Sequence, residues 1–468
     1  MLFNTFQFAV FLIFVLLFYY GLPRRFQAAV LLGSSLVFYT LWIPAYLVLL
    51  LAEIGVNYAL LRGMLRSEHR RPYLIAAIVF TLGLLAYFKY AAMIVESFIP
   101  LLGGSFGWGF EIPEIFLPLG ISFYSFQILG LSIDAYRGQL EEPPSLGRYA
   151  LFVCFFPQLI AGPILRGSEF LPQLGRGGEP TWDRTRRGLW LIAVGLGKKV
   201  IIADFLLAPF VDMVFHEHAP PVAAFHWLAL YSFAFQIYFD FSGYTDMARG
   251  IALLLGFELP LNFKEPYLSR SPSEFWRRWH ITLSRWLADY VYIPLGGNRR
   301  GTTRTYSNLA ITMLLGGLWH GASWNFVIWG GLHGLLLVVH RLIGRKNVDT
   351  QTPLGWRDLP KVIAFFNLVC LIWVFFRAPT LDLALLYFER LFSFSNPYGV
   401  PYIQVAVVAL CIGLHFAERS LRLRAPAIRE QLAGRWWGGL AEGTALGAVV
   451  GLAILVAGVG GDFIYFQF

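Results

Sequence analysis

Apolar runs of roughly 17–25 residues recur along the chain, each long enough to cross a bilayer as a helix. They fall at 6–22, 26–43, 45–62, 73–92, 115–136, 188–214, 222–246, 305–320, 324–342, 361–377, 401–418 and 438–459. The pattern predicts an all-α, polytopic membrane protein with about 11–13 transmembrane helices. A further run, 149–165, is flanked by basic loops at both ends and broken by Pro157 and Pro163. It is expected to be re-entrant, which is tolerated only where protein or a water-filled cavity covers the backbone. No internal repeat, low-complexity tract or long linker interrupts the pattern, so residues 1–468 read as one membrane-embedded domain.

Charge orients these crossings. Arg24-Arg25, the group Arg62, Arg66, Arg70 and Arg71, the segment from Lys264 to Arg304, and the segment from Arg419 to Arg435 mark cytoplasmic loops. Glu111 and Glu114 lie in a stretch without basic residues and suit the outer face. By parity both termini are expected outside the cytoplasm. The N-terminus lacks a basic n-region and a convincing cleavage site, so residues 6–22 are expected to be a retained helix. The chain is 57% hydrophobic and 14% charged, so no soluble domain is expected. Its net charge of +9 sits mainly in loops, where the positive-inside bias explains it without nucleic acid. Cys154, Cys370 and Cys411 lie in apolar runs without metal spacing and read as buried thiols.

Candidate chemistry concentrates in 273–321. Ser271-Pro272-Ser273-Glu274 reads as a helix start, with Ser271 at the N-cap and Glu274 completing a capping box. Trp276, Trp279, His280, Leu283, Leu287 and Tyr290 then recur at helical spacing, with Arg277, Arg278 and Arg285 mostly elsewhere round the helix. This predicts a basic, aromatic helix lying in a membrane interface, stopped by Pro294 to Asn298. Positive-inside arginines on a surface helix are the plainer account of its basic face. Leu309 to Leu318 is apolar, and Gly316-Gly317 permit the close backbone approach that a substrate tunnel needs. His320 follows between Trp319 and Gly321. A titratable side chain near the hydrocarbon is a functional candidate by default. The alternative is an interfacial histidine hydrogen-bonded to a carbonyl.

Glu274-Phe275-Trp276-Arg277-Arg278-Trp279-His280-Ile281-Thr282-Leu283-Ser284 and Leu315-Gly316-Gly317-Leu318-Trp319-His320-Gly321-Ala322 resemble signatures of the membrane-bound O-acyltransferase family, in particular its alginate O-acetyltransferase membrane-subunit branch. Leu117 to Tyr124, Phe156 to Pro163 and Tyr238 to Tyr244 resemble the same branch. The likeness runs in order to about residue 395 and is looser beyond, apart from the last six residues. It implies transmembrane, re-entrant and interfacial helices around a central cavity in a bacterial inner membrane. It implies His320 as catalytic base and His280 as a second active-site histidine that orients the donor or assists proton transfer. Trp276, Arg277, Arg278, Trp279, Trp319, Asp240 and Tyr244 are the candidates for lining the cavity or holding the donor. The expected donor is acetyl-CoA, with no bound cofactor. The expected partners are membrane lipid, an SGNH-type acetyltransferase outside the membrane and, indirectly, a polysaccharide acceptor. The aromatic tail 463–468 is an interface anchor or, through Tyr465, an acyl relay.

The chemistry fits these residue types. A hydroxyl is a weak nucleophile, and histidine is the usual base near neutral pH. The basic loop from Lys264 to Arg304 attracts the phosphates of a CoA donor. Asp240, Ser242, Tyr244 and Asp246 lie within one crossing, where the acids either line a polar cavity or pair with arginines. His216-Glu217-His218 lacks a further ligand and is not expected to hold a metal. A P-loop is absent from the sequence. A transporter or a non-catalytic scaffold of a modification complex are the rival classes. Alginate, cellulose and peptidoglycan all stand open as the polymer.

Overall fold

The computed structural model describes residues 1–98, 116–175, 179–344, 354–393, 399–432 and 436–456, and all regular structure among them is helical. The chain divides into two compact units, one of residues 1–189 with 248–260, the other of 190–247 with 261–468. The division falls within two helices, α9 and α11 below.

The first unit holds α1 (Phe6–Gly21), α2 (Gln27–Thr40), α3 (Ala45–Arg66), α4 (Arg70–Phe98), α5 (Ile121–Tyr136), α6 (Leu146–Cys154), α7 (Phe156–Leu159) and α8 (Gly167–Phe170). The run expected to be re-entrant is indeed broken. It turns at Phe155, whose following N–H, on Phe156, donates to Ser35 Oγ at 3.1 Å. Every residue from Tyr149 to Leu165 is buried, so protein covers the interrupted backbone.

The second unit takes the end of α9 (Trp182–Leu196), a π-helical stretch Gly197–Leu207, α10 (Ala208–Val214), most of α11 (Ala223–Leu254), α12 (Pro272–Trp276), α13 (Ile281–Leu287), α14 (Thr302–His320), α15 (Trp324–Leu342), α16 (Leu359–Arg377), α17 (Leu381–Leu391), α18 (Tyr402–Leu432) and α19 (Trp436–Val456). Cys370 and Cys411 here, like Cys154 in the first unit, are buried free thiols.

The all-α, multi-pass expectation holds. Among the described residues six helices are long and apolar enough to cross a membrane: Ala45–Arg66, Arg70–Ser97, Trp324–Leu342, Trp356–Arg377, Tyr402–Arg422 and Gly439–Val456. The other expected crossings fall on helices that are shorter or carry more charge, and lysines and acids of the 188–214 and 222–246 crossings pair inside the protein. Lys199 in the π-helical stretch lies 2.8 Å from both Asp204 and Asp240, and Lys198 pairs with Asp246 at 2.9 Å and Glu418 at 2.6 Å. A glycine pair permits this. A Cβ on Gly195 would stand 2.5 Å from Gly243 O, so α9 and α11 cross closely enough for the lysines to reach the acids. The acids of the α11 crossing therefore pair with lysines.

The hairpin of α14 and α15 carries the site, and glycines set its spacing. A Cβ on Gly317 would lie 2.2 Å from Phe326 O and 3.1 Å from Gly330 Cα. Gly316 instead faces Leu287. These glycines serve helix-on-helix packing rather than the walls of a tunnel. Gly317→Ala must push the helices apart and is expected to destabilise the protein by about 1–3 kcal/mol. Gly331→Ala, whose Cβ meets only Leu314 Cδ2 at 3.5 Å, should be near neutral. Thermal melting of the purified variants checks the pair; equal melting temperatures would contradict the packing argument.

Candidate active site

The helix expected over 273–292 is not one helix, and its aromatic residues Phe275 and Trp279 are buried in protein. α12 starts as read, with Ser271 Oγ accepting from Glu274 N at 3.3 Å. The other half of the capping box is missing. The Glu274 carboxylate accepts instead from Arg270 N–H at 2.9 Å and from the Arg270 and Arg278 guanidinium groups. Burial opposes its charge, but these hydrogen bonds prevail and hold the carboxyl below the usual range. After Trp276 the chain turns, and α13 begins only at Ile281. Between them His280 adopts φ 41° and ψ 56°, the left-handed region. Trp279 and His280 are completely buried, and the segment belongs to the core.

The physical reason lies in an opposing segment. Lys264 N–H donates to Arg278 O at 2.9 Å, and Ile281 N–H donates to Asn262 O at 2.9 Å. The backbone groups that would continue α12 are thus captured by 262–264. A left-handed conformation costs a non-glycine residue roughly 1–2 kcal/mol, so the surroundings must impose it. The Asn262 side chain does so. Its Oδ1 accepts from Thr282 N–H at 3.2 Å and Thr282 Oγ1–H at 3.0 Å, and lies 3.1 Å from His280 Nδ1. A backbone N–H can only donate, so this atom is the amide oxygen and His280 Nδ1 carries the hydrogen. Burial pushes the His280 pKa down to about 3, so the ring is neutral. Its lone pair is therefore at Nε2, which has no hydrogen-bond partner among the described residues.

His320 is the last residue of α14 and is buried. Its ring centroid stands 6.4 Å from that of His280, an edge-to-face pair. Trp319 packs against both, at 5.7 Å from His280 and 5.0 Å from His320. Trp329 and Phe376 close the other sides of His320 at 5.0 and 5.2 Å. A cation formed on this ring meets the partial negative charge of a helix C-terminus.

The remaining candidates divide. Trp276 is half-buried and edges Trp329, and Trp279 packs on Trp373. Arg278 is locked to Glu274 at 2.8 Å, while Arg277 is exposed and bonds Ser273 O. Asp240 belongs to the Lys199 cluster, and Tyr244 is buried on the same helix. Tyr465 and the tail 463–468 lie outside the described residues. Sequence reading missed Asn262, Trp329, His333 and Phe376. Asn262 lies in an unpatterned loop, and only its structure reveals it; His333 and Trp329 share one helix face at four-residue spacing, which was a readable signal. A cleft of about 960 Å³ also opens among Ser273, Arg299, Arg300, Leu337, His340 and Arg341.

Paired histidines buried among aromatic side chains suit acyl transfer, and comparison with known proteins agrees. Residues 135–378 match the membrane-bound O-acyltransferase family. The chain belongs to this family. A "Probable alginate O-acetylase AlgI" of Azotobacter vinelandii is 44% identical over 385 residues, 81% of this chain and 75% of the relative. A protein of the same description from Pseudomonas aeruginosa is 42% identical, over 84% of this chain and 75% of its own. A "Peptidoglycan O-acetyltransferase" of Helicobacter pylori is 39% identical, over 75% and 71%.

The protein is thus a multi-pass membrane O-acyltransferase, and the Asn262 clamp gives a test within that chemistry. Asn262→Ala removes the atom that fixes the His280 tautomer and ring angle. Acyl transfer per folded molecule should fall roughly ten- to a hundredfold, the scale for misplacing a reacting group. Asn262→Asp retains an acceptor oxygen and should recover part of the rate. Unchanged turnover in Asn262→Ala would show that the clamp serves the fold alone.

Proposed function

We propose that this enzyme takes acetyl groups from cytoplasmic acetyl-CoA and passes them across a bacterial inner membrane for O-acetylation of an extracytoplasmic polysaccharide such as alginate. The observation that carries the reading is the buried His280–His320 pair, 6.4 Å apart, with the His280 lone pair fixed at Nε2. The printed names of the relatives support acetylation and a cell-surface polymer as acceptor.

In this reading the acetyl thioester sits between the two rings. His280 Nε2 accepts a hydrogen bond from an amide N–H of the donor and orients the thioester. His320 takes the hydroxyl proton as the oxygen attacks the carbonyl. The tetrahedral intermediate collapses with loss of thiolate, which takes the proton back from His320. One C–O bond forms, one C–S bond breaks, and the proton returns to the leaving group. The exposed Arg299, Arg300 and Arg341 around the cleft suit the donor's phosphates. An SGNH-type partner outside the membrane completes delivery to the polymer.

His320→Ala is expected to abolish polymer acetylation while membrane abundance stays at the wild-type level; normal acetylation in that variant removes the proposal. Orientation has its own test. Asn298 lines the arginine cleft, so Asn298→Cys should react in intact cells only with a membrane-permeant thiol reagent. Labelling by an impermeant reagent places the cleft on the outer face and excludes a cytoplasmic donor there.

A further inference from the structure

His333 has no part in the transfer step above, yet it is built into the same chamber. It lies within α15, is completely buried, and neither of its ring nitrogens has a hydrogen-bond partner among the described residues. A neutral imidazole carries one donor and one acceptor, and leaving both unmatched in a dry interior is costly. Its cage offers neither. Phe275 stacks parallel to it at 5.9 Å, and Trp276 and Trp329 meet it edge-on at 5.1 and 4.8 Å. The indole N–H groups of Trp276 and Trp329 are themselves buried without hydrogen-bond partners among the described residues. A phenylalanine would fill this space without the penalty, so the polar atoms point to a ligand that supplies the missing partners.

The position of His333 says which ligand. On one side Trp329 touches both His333, at 4.8 Å, and His320, at 5.0 Å. On the other, Leu337, His340 and Arg341 of the same helix line the arginine cleft, as does Ser273, one turn before Trp276. At the helical rise, His333 to His340 covers about 10 Å and Trp329 to His333 about 6 Å more. His333 therefore lies between the cleft and the reacting histidines.

The geometry points to His333 as the residue that binds the amides of a pantetheine-type donor arm. This rests on the acetyl-CoA reading above. A donor with its phosphates among Arg299, Arg300 and Arg341 must run about 16 Å along α15 to bring its thioester to His320. Its amide carbonyl and N–H groups then meet the donor and acceptor of His333 and the N–H of Trp276. The site takes a long, amide-bearing thioester in preference to a short acyl phosphate or a plain fatty chain.

Equilibrium binding of CoA, and of pantetheine without nucleotide, to the full-length protein in lipid nanodiscs tests this. Wild type binds both. His333→Phe, which keeps the ring stack, weakens both by about tenfold, the scale of one lost buried hydrogen bond. His333→Gln keeps a donor and an acceptor and recovers most of the loss. Arg341→Ala weakens CoA alone. A measurement on the wild-type protein guards against a misfolded variant: a pantetheine analogue with esters in place of its amides binds about tenfold more weakly than pantetheine. If wild type binds CoA, but the ester analogue matches pantetheine or folded His333→Phe binds like wild type, the role of His333 is overturned and the CoA reading stands. If wild type binds neither CoA nor pantetheine, the CoA reading fails and this inference falls with it.

Discussion

The site depends on one amide oxygen. Asn262 Oδ1 receives hydrogen bonds from Thr282 and from His280, and its backbone carbonyl receives the N–H of Ile281. Without that opposing segment, α12 would continue through His280 and turn the imidazole with the helix. With it, the backbone reverses into the left-handed region and the ring is fixed in one tautomer. Buried groups cannot turn to bulk water when a bond is lost, so removing part of such a clamp is costly. The ion cluster of Glu274, Arg270 and Arg278 anchors the other end of the same turn. Its arginines belong to the framework, which leaves the exposed arginines round the cleft for a charged ligand.

The same constraint governs the lysines. Lys198 and Lys199 stand among four carboxylates, reached through a glycine contact and a π-helical stretch. An extra residue per turn re-aims side chains, and such stretches recur where a helix must serve something other than regular packing. Buried ion pairs contribute little net stability, but they fix which charges face each other. Here they let polar helices lie within a protein whose outer helices are strongly apolar.

Much of this was readable from the sequence, for a physical reason. Spanning a bilayer imposes a minimum apolar length, so the helices from α1 to α5 and from α14 to α16 stand within a few residues of where hydropathy places them. The N-cap at Ser271 was legible because capping is local chemistry. His320 stood out because a titratable group is rare near an apolar run, and resemblance to a family gave both histidines their roles. What failed was non-local. Helical spacing continued through His280, and nothing in 273–292 announces that residues 262–264 will capture its backbone. Arg278 looked like a donor ligand because a sequence shows a charge but not its partner. His333 was overlooked because an isolated histidine on an apolar face is ordinarily a satisfied core residue. Only the structure shows that its nitrogens have no hydrogen-bond partner among the described residues.

The central claim is that His280 and His320 flank the reacting acetyl group. The most direct measurement is an experimental structure of the full-length protein with a non-hydrolysable thioether analogue of acetyl-CoA. The account predicts the acetyl carbonyl between the two rings, within about 3–3.5 Å of where an attacking oxygen would sit, with the His280 tautomer and the Asn262 bonds intact. An analogue bound with its acetyl end away from both histidines, or with His280 swung out of the Asn262 clamp, would contradict it.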